Sequence, residues 1–136
     1  MNSLIYPMAM HVALAAVLYG LLTAARAPAV WGIGKAADGS NPWSQAERRI
    51  SANLSNQFEW PLFFYAACIL LLQQGMVNSH QVLLAWVFIF GRIVHSIVHI
   101  FTTNVRLRGI IFTINFLAVI AMWGYMLLEH NSHNTQ

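Results

Sequence analysis

Four long, mostly apolar stretches constrain this chain more than any other feature of its sequence. They lie at approximately residues 3–25, 47–74, 80–103 and 105–128, and a helix needs about 20 apolar residues to cross a bilayer. Of the 136 residues, 58% are hydrophobic and only 8% are charged, whereas soluble domains average about 25% charged residues. The sequence therefore predicts one all-α domain over residues 1–136 that is integral to a membrane.

The segments between these stretches predict how the helices are connected. Residues 26 to 47 are rich in proline and glycine, which is typical of a loop. At the end of this segment, Ser44-Gln45-Ala46-Glu47 matches a capping box, at which the second helix begins. Pro61 is expected to bend that helix, because proline lacks a backbone donor. Short turns join the remaining helices and a polar tail covers residues 129–136, so the sequence predicts an up-down four-helix bundle.

The positive charges lie at only one side of this predicted bundle. Six basic residues fall between the first and second or between the third and fourth stretches: Arg26, Lys35, Arg48, Arg49, Arg106 and Arg108. Because basic loops stay in the cytoplasm, both termini are predicted to be on the non-cytoplasmic side. In total, seven Lys and Arg face four Asp and Glu, too few for a phosphate-binding surface, so no nucleic-acid partner is expected.

Five of the polar side chains inside the predicted spans are the most informative about a site. Asn56 and Glu59 share one face of the second helix, and Arg92, His95 and His99 form one stripe on the third. An ionised side chain at the centre of a membrane helix costs about 2.5–3.5 kcal/mol. Such residues must therefore face protein, water or one another, and the two polar stripes are predicted to meet and form a site.

Within this site, Glu59 is the natural partner of Arg92, either as a simple interhelical clamp or as part of a functional centre. The seven-residue spacing of the stripe continues from Arg92 to Arg106. The two histidines and Arg106 have no acidic partner left, and such a surplus of donors predicts an anion. Arg106 and Arg108 would recognise its carboxylate or phosphate in bidentate geometry.

The other reactive residue types receive simpler interpretations. His95 and His99 have a spacing at which two ligands can hold one metal ion, but no Cys or carboxylate shares their face, so no metal site is predicted. His11, alone in the first span, is predicted to be packed and hydrogen-bonded. Cys68 is predicted to serve packing, since no nearby cation activates it.

Two blocks of the sequence resemble the MAPEG family, the membrane-associated proteins in eicosanoid and glutathione metabolism. The first is Asn56-Gln57-Phe58-Glu59 followed by Pro61, similar to the Asn-x-x-Glu and nearby proline of the family's second helix. The second, residues 91–99 with the sequence GRIVHSIVH, resembles the third helix of the microsomal glutathione transferase and prostaglandin E synthase type. The resemblance covers nearly the whole chain in helix order.

The resemblance implies a homotrimer with glutathione bound between neighbouring subunits near the cytoplasmic side. The implied glutathione-binding residues are Asn56, Glu59, Arg92, His95 and His99. Arg48 or Arg49, the second of which is included among the implied binding residues, would replace from one turn earlier an arginine that is usual in the family where this chain has Ala52. Arg106 or Arg108 would lie beside the thiol as a catalytic cation, lowering the thiol pKa and stabilising the thiolate.

These features predict a membrane glutathione-dependent transferase or peroxidase that acts on a small lipophilic electrophile from the bilayer. Ala52 and Ser55 stand where relatives carry arginine, which favours an alternative: a non-catalytic membrane binding or scaffold protein without glutathione. A third interpretation is a site for an anionic lipid or a quinone-like ligand in the same groove.

Overall fold

The computed structural model describes residues 3–134, with side chains through Ser132, and all regular structure in this part is helical. The predicted all-α four-helix bundle is confirmed, with the second helix divided into two segments. The helices are α1 (Ile5–Trp31), α2 (Ser44–Asn56), α3 (Pro61–Gln74), α4 (Ser79–Phe101) and α5 (Val105–Asn134).

The first helix is longer than expected. α1 continues past the predicted end at Ala25 to Trp31, although Pro28 in this extension lacks the N–H that would donate to the Ala24 carbonyl. The helix stops at Gly32, whose φ of 71° is left-handed and whose N–H donates to the Pro28 carbonyl at 3.2 Å. In the shortened loop, Ser40 donates to the Asp38 carboxylate, which lowers the pKa of that carboxyl.

The second helix begins at Ser44, as predicted, but its cap differs from the prediction. The capping box is wrong, because Ser44 is the first helical residue and makes no cap with its side chain. Asn41 Oδ1 accepts the backbone N–H of Trp43 at 2.9 Å, in a turn that immediately precedes the helix. Glu47 instead forms an ion pair with Arg26, with 3.0 Å between Oε1 and Nε.

The second and third helices are separated by a break at residues 57–60. The bend predicted at Pro61 is therefore a complete interruption, since proline cannot donate to the carbonyl of Gln57. Pro61 itself begins α3, where the absence of an N–H has no cost. The 14 residues of α3 extend about 21 Å, less than the bilayer core of about 30 Å, so α2 and α3 together provide this passage.

The last helix is also longer than expected. The predicted polar tail is helical as far as Asn134, while residues 135–136 lie outside the described part. Glu129 supports this extension, because its Oε1 accepts a 2.5 Å hydrogen bond from Asn78 Nδ2 at the start of α4. Asn78 also caps α4, with 3.0 Å between its Oδ1 and the backbone nitrogen of Gln81.

In the described part of the chain, three helices are long and apolar enough to cross a membrane: α1, α4 and α5. Many of their large apolar side chains point outward, as expected for helices that face lipid. Three of the four predicted spans therefore correspond to single helices. The remaining one corresponds to the interrupted α2–α3 pair.

Two apolar clusters form the core. One joins α3, α4 and α5 and includes the stacked rings of Phe64 and Phe88, 4.4 Å apart; the other joins α1 and α2 around Leu18 and Leu54. Cys68 is fully buried in the first cluster, which confirms its predicted packing role. Between the two clusters lie buried polar residues from α1, α4 and the α2–α3 break, here named the polar layer: His11, Gln57, Arg92 and Ser96.

Candidate functional site

Gln57 is the centre of the polar layer. Its Oε1 accepts from Arg92 Nε at 3.1 Å and lies 3.0 Å from His11 Nε2. Its Nε2 donates to Asn53 Oδ1 and to Ser96 Oγ, both at 3.2 Å. Gln57 is only 2% exposed, so these bonds replace the hydrogen bonds to water that the amide loses on burial. One side chain thus ties α1, α2 and α4 together at the break.

Arg92 is completely buried and does not pair with Glu59, so that prediction is wrong. Its Nη2 donates at 3.0 Å to the carbonyl of Asn56, the last residue of α2, and its Nε donates to Gln57. Because the helix stops at Asn56, Glu59 does not share its helical face and is exposed in the break. Within the described residues, the single ion pair is the one between Arg26 and Glu47.

Glu59 forms no direct ion pair with Arg92, and its charge acts on the guanidinium only from a distance, so this geometry predicts a small contribution of Glu59 to folding. We expect Glu59→Gln to change the free energy of unfolding by less than about 0.5 kcal/mol, as for ordinary surface positions. Breaking a buried ion pair would instead cost about 3–5 kcal/mol. Thermal unfolding of the wild type and the variant in the same detergent measures the difference. A loss of several kcal/mol of stability in the variant would instead support the predicted ion pair between Glu59 and Arg92.

Beside the polar layer, a cavity of about 420 Å³ brings together four of the residues predicted for the site. Asn56 comes from α2, His95 and His99 from α4, and Arg108 from α5; this cavity is named the site cavity. An adjoining cavity of about 390 Å³ shares Asn56 with it and contains Glu59. Aromatic side chains complete the adjoining cavity: Trp60, Phe63 and Phe112.

Two predicted basic residues lie elsewhere. Arg106 is exposed and lines neither of these two cavities. The seven-residue spacing failed for it because α4 ends at Phe101, and α5 begins a new helix with a different direction at Val105. Arg49 is half-buried beside the site cavity, where its Nη1 donates to the carbonyl of Ile100 at 3.2 Å and its charge acts on His99.

The two histidines of the site cavity have different partners. Their rings meet edge to face with centroids 5.7 Å apart. His95 is only 3% exposed, and its Nδ1 has no hydrogen-bond partner among the described residues. The Nδ1 of His99 lies 3.5 Å from Asn53 Nδ2, a long hydrogen bond that connects the site cavity to Gln57.

Sequence reasoning found most of the cavity but missed the residues that support it. Gln57, Asn53 and Ser96 are buried, although none of the three was predicted for the site. A four-residue spacing links Asn53 with Gln57 and Arg92 with Ser96, and this was the available signal. The prediction for His11 is confirmed, since it is buried and its Nδ1 lies 2.9 Å from Tyr65 Oη.

Two other cavities have a different chemistry. One of about 880 Å³ lies between the α3–α4 connection and the end of α5; its lining contains Glu129 and no arginine or lysine. A groove of about 440 Å³ between α1 and α3 is almost entirely apolar. Neither combines a cation with hydrogen-bond donors, which anion recognition requires.

The site cavity has the groups needed to hold an anion and to stabilise negative charge on a reacting atom. Arg108 provides a permanent cation on a rigid helix, and the histidine and asparagine side chains provide directed hydrogen bonds. Such a preorganised cation favours a state in which negative charge develops.

Comparison with known proteins gives one match. A sequence model of the MAPEG family matches residues 4–128, a range that contains every residue lining the site cavity. No curated protein and no solved structure matches the chain. The family match agrees with the resemblance read from the second and third helices, and it applies to the family as a whole.

Proposed function

Because the chain belongs to the MAPEG family, we propose that this integral membrane protein is a glutathione-dependent transferase or peroxidase acting on a lipophilic electrophile. The observation that carries the proposal is the site cavity, where Arg108 lies with His95, His99 and Asn56. Glutathione is an anionic tripeptide, and these cationic and hydrogen-bonding groups have the chemistry that its carboxylates and thiolate require.

In this proposal, Arg108 favours the thiolate over the thiol, as a nearby fixed cation does. In a transferase reaction, the thiolate forms a sulfur–carbon bond with the electrophile, the leaving group departs with its electron pair, and the thiol proton goes to solvent. In a peroxidase reaction, two glutathione molecules reduce a hydroperoxide to an alcohol and water and become one disulfide. Both reactions use the same activated sulfur.

The proposed substrate enters from the bilayer. The adjoining cavity, lined by Trp60 and Phe63, lies next to the site cavity and offers aromatic surface to a lipophilic molecule. We place the site near the cytoplasmic side, with both termini opposite, because the basic loops lie at the same end as Arg108.

The proposed assembly is a homotrimer with glutathione between neighbouring subunits. The site cavity is open at the surface of the single bundle, so a second subunit is needed to cover a bound tripeptide. Glu59 lines the adjoining cavity, and the charge of Arg49 acts on His99 of the site cavity; both residues are proposed as further glutathione contacts, whereas Arg92 acts through the carbonyl of Asn56.

A second function, a non-catalytic membrane binding or scaffold protein, is favoured by a different observation. Ala52 and Ser55 are both exposed on α2, and neither supplies the cation that the family resemblance leads one to expect there. In our proposal Arg49 fills this role. An anionic lipid in the same cavity would use the same cations, so the test must separate the three ligands.

Thermal stabilisation by glutathione is the first test. A ligand present at 100 times its Kd stabilises the folded state by about 2.7 kcal/mol, so we expect the melting temperature in detergent to rise with glutathione at millimolar concentration. The matched control is the same concentration of a tripeptide without the thiol and the glutamyl carboxylate. No rise would favour the scaffold, and bound lipid in native mass spectrometry would favour the lipid site.

Catalysis is tested on the same preparation. We expect glutathione to give thiolate absorbance with the protein and to be conjugated to an activated aryl halide faster than in buffer. If folded protein binds glutathione but gives neither signal, it is a non-catalytic binding protein and the proposed enzyme activity is wrong.

A further inference from the structure

Arg92 determines which atoms donate and which accept in the hydrogen bonds of the polar layer. A guanidinium group can only donate, so the atom of Gln57 that faces Arg92 Nε must be the oxygen. This fixes the orientation of the Gln57 amide, whose oxygen and nitrogen have nearly the same shape but opposite hydrogen-bonding roles. Its Nε2 must then point to the opposite side, towards Asn53 and Ser96.

The direction continues from Gln57 to the site cavity. Gln57 Nε2 donates to Asn53 Oδ1, so the Nδ2 of Asn53 is the atom that faces His99 Nδ1. An amide nitrogen only donates, and His99 Nδ1 must therefore accept. A neutral histidine that accepts at Nδ1 carries its proton on Nε2.

We propose that Gln57 and Asn53 are positioning residues that set the tautomer of His99, so that its Nε2–H is available as a donor in the site cavity. Where the ligand is glutathione, this inference rests on the proposed function. His99 lines the site cavity, and a donor there meets an anionic ligand with a hydrogen bond, whereas a bare nitrogen would meet it with a lone pair.

His11 provides an internal reference for the tautomer of His99. His11 Nε2 faces Gln57 Oε1, which only accepts, so the proton of His11 is also on Nε2. Its Nδ1 then accepts from the Tyr65 hydroxyl at 2.9 Å, in competition with the Met8 carbonyl, which lies farther from that hydroxyl at 3.3 Å. His11 depends on Gln57 but has no hydrogen bond to Asn53, so the two histidines respond differently to substitution of these two residues.

Asn53→Asp is the most informative variant. A carboxylate at this position only accepts, so His99 must donate from Nδ1 and turn a bare Nε2 to the ligand, while His11 keeps its tautomer. Gln57→Met removes the amide that bonds His11 and orients Asn53, so His11 and His99 are each expected to populate both tautomers. Asn53→Asp is the primary variant, and it remains decisive if Gln57→Met does not fold.

The measurement is ¹⁵N NMR of histidine-labelled full-length protein in lipid nanodiscs, at about pH 8.5, roughly two units above the ordinary histidine pKa. The signals of His99 and His11 are assigned by His99→Gln and His11→Gln. We expect both residues to be protonated at Nε2 in the wild type, and only His99 to change in Asn53→Asp. Protonation of wild-type His99 at Nδ1, or an unchanged His99 in Asn53→Asp, would overturn the proposal.

Glutathione affinity supplies the functional half of the test. Asn53→Asp is expected to weaken glutathione binding at least about 10-fold, because a hydrogen bond to a charged group is lost. Gln45→Glu adds the same charge at an exposed position of α2 and is expected to bind like the wild type. Equal affinity of Asn53→Asp and wild type would overturn the role in binding. If the wild type itself does not bind glutathione, the proposed function fails, while the tautomer result still decides the positioning of His99.

Discussion

Arg108→Ala is expected to lower kcat for glutathione conjugation by about 100-fold to 1,000-fold, the loss typical when one preorganised group that stabilises developing charge is removed. Arg108 is the arginine in the site cavity, and α5 holds it opposite His95 and His99. Steady-state rates with an activated aryl halide, together with the absorbance of the bound thiolate, measure the effect.

Arg106→Ala is the matched control. It removes the same charge two residues away, from an exposed position outside the site cavity, and should leave kcat within about threefold of the wild type. If the two variants lose activity equally, the effect comes from the total positive charge of the basic loops and not from the position of Arg108 in the site cavity. If only Arg106→Ala loses activity, the assignment of Arg108 to the thiol is wrong.

Gly91→Ala is expected to cause the most severe steric clash of any glycine-to-alanine substitution in this chain, and with it a loss of stability. A Cβ at this position on α4 would lie 1.8 Å from Asn115 Oδ1 and 2.9 Å from its Cγ. Asn115 on α5 is completely buried, so its side chain would have to shift inside a packed interior to admit the methyl group. Overpacking of a core costs about 1–3 kcal/mol or more, so we expect a lower melting temperature and partial loss of folded protein in detergent.

The control and the rescue for this prediction are both available in the chain. Gly124→Ala places a methyl group where nothing lies within 4 Å, and it should be neutral or stabilising because alanine favours helix. The double variant Gly91→Ala with Asn115→Ala removes the clash and should recover most of the lost stability. A melting temperature of Gly91→Ala equal to that of Gly124→Ala would contradict the close α4–α5 contact.

The sequence was sufficient for the parts of this molecule that depend on hydropathy and on helical spacing. The scarcity of charge predicted an all-α membrane bundle, and the spacing of His95 and His99 correctly placed both on one face of α4. Their meeting with Asn56 followed from the cost of polar groups in lipid, which is general physics and needs no detail of the fold.

The sequence was not sufficient where the outcome depends on the point at which a helix stops. Glu59 was paired with Arg92 because an unbroken helix would carry Asn56 and Glu59 on one face. The break ends that face at Asn56 and gives the guanidinium a carbonyl and the Gln57 amide instead. Arg106 failed for the same reason, since the spacing was counted across the end of α4. Helix ends depend on a few tenths of a kcal/mol per residue, too little to read from composition.

The polar layer also has a consequence for how the chain enters the bilayer during synthesis. The α2–α3 passage arrives before α4, and at that stage the Gln57 oxygen has His11 but lacks the guanidinium that later joins it. Lipid offers no water to replace a missing donor. The early passage therefore gains its full complement of hydrogen bonds only when the later helix inserts beside it.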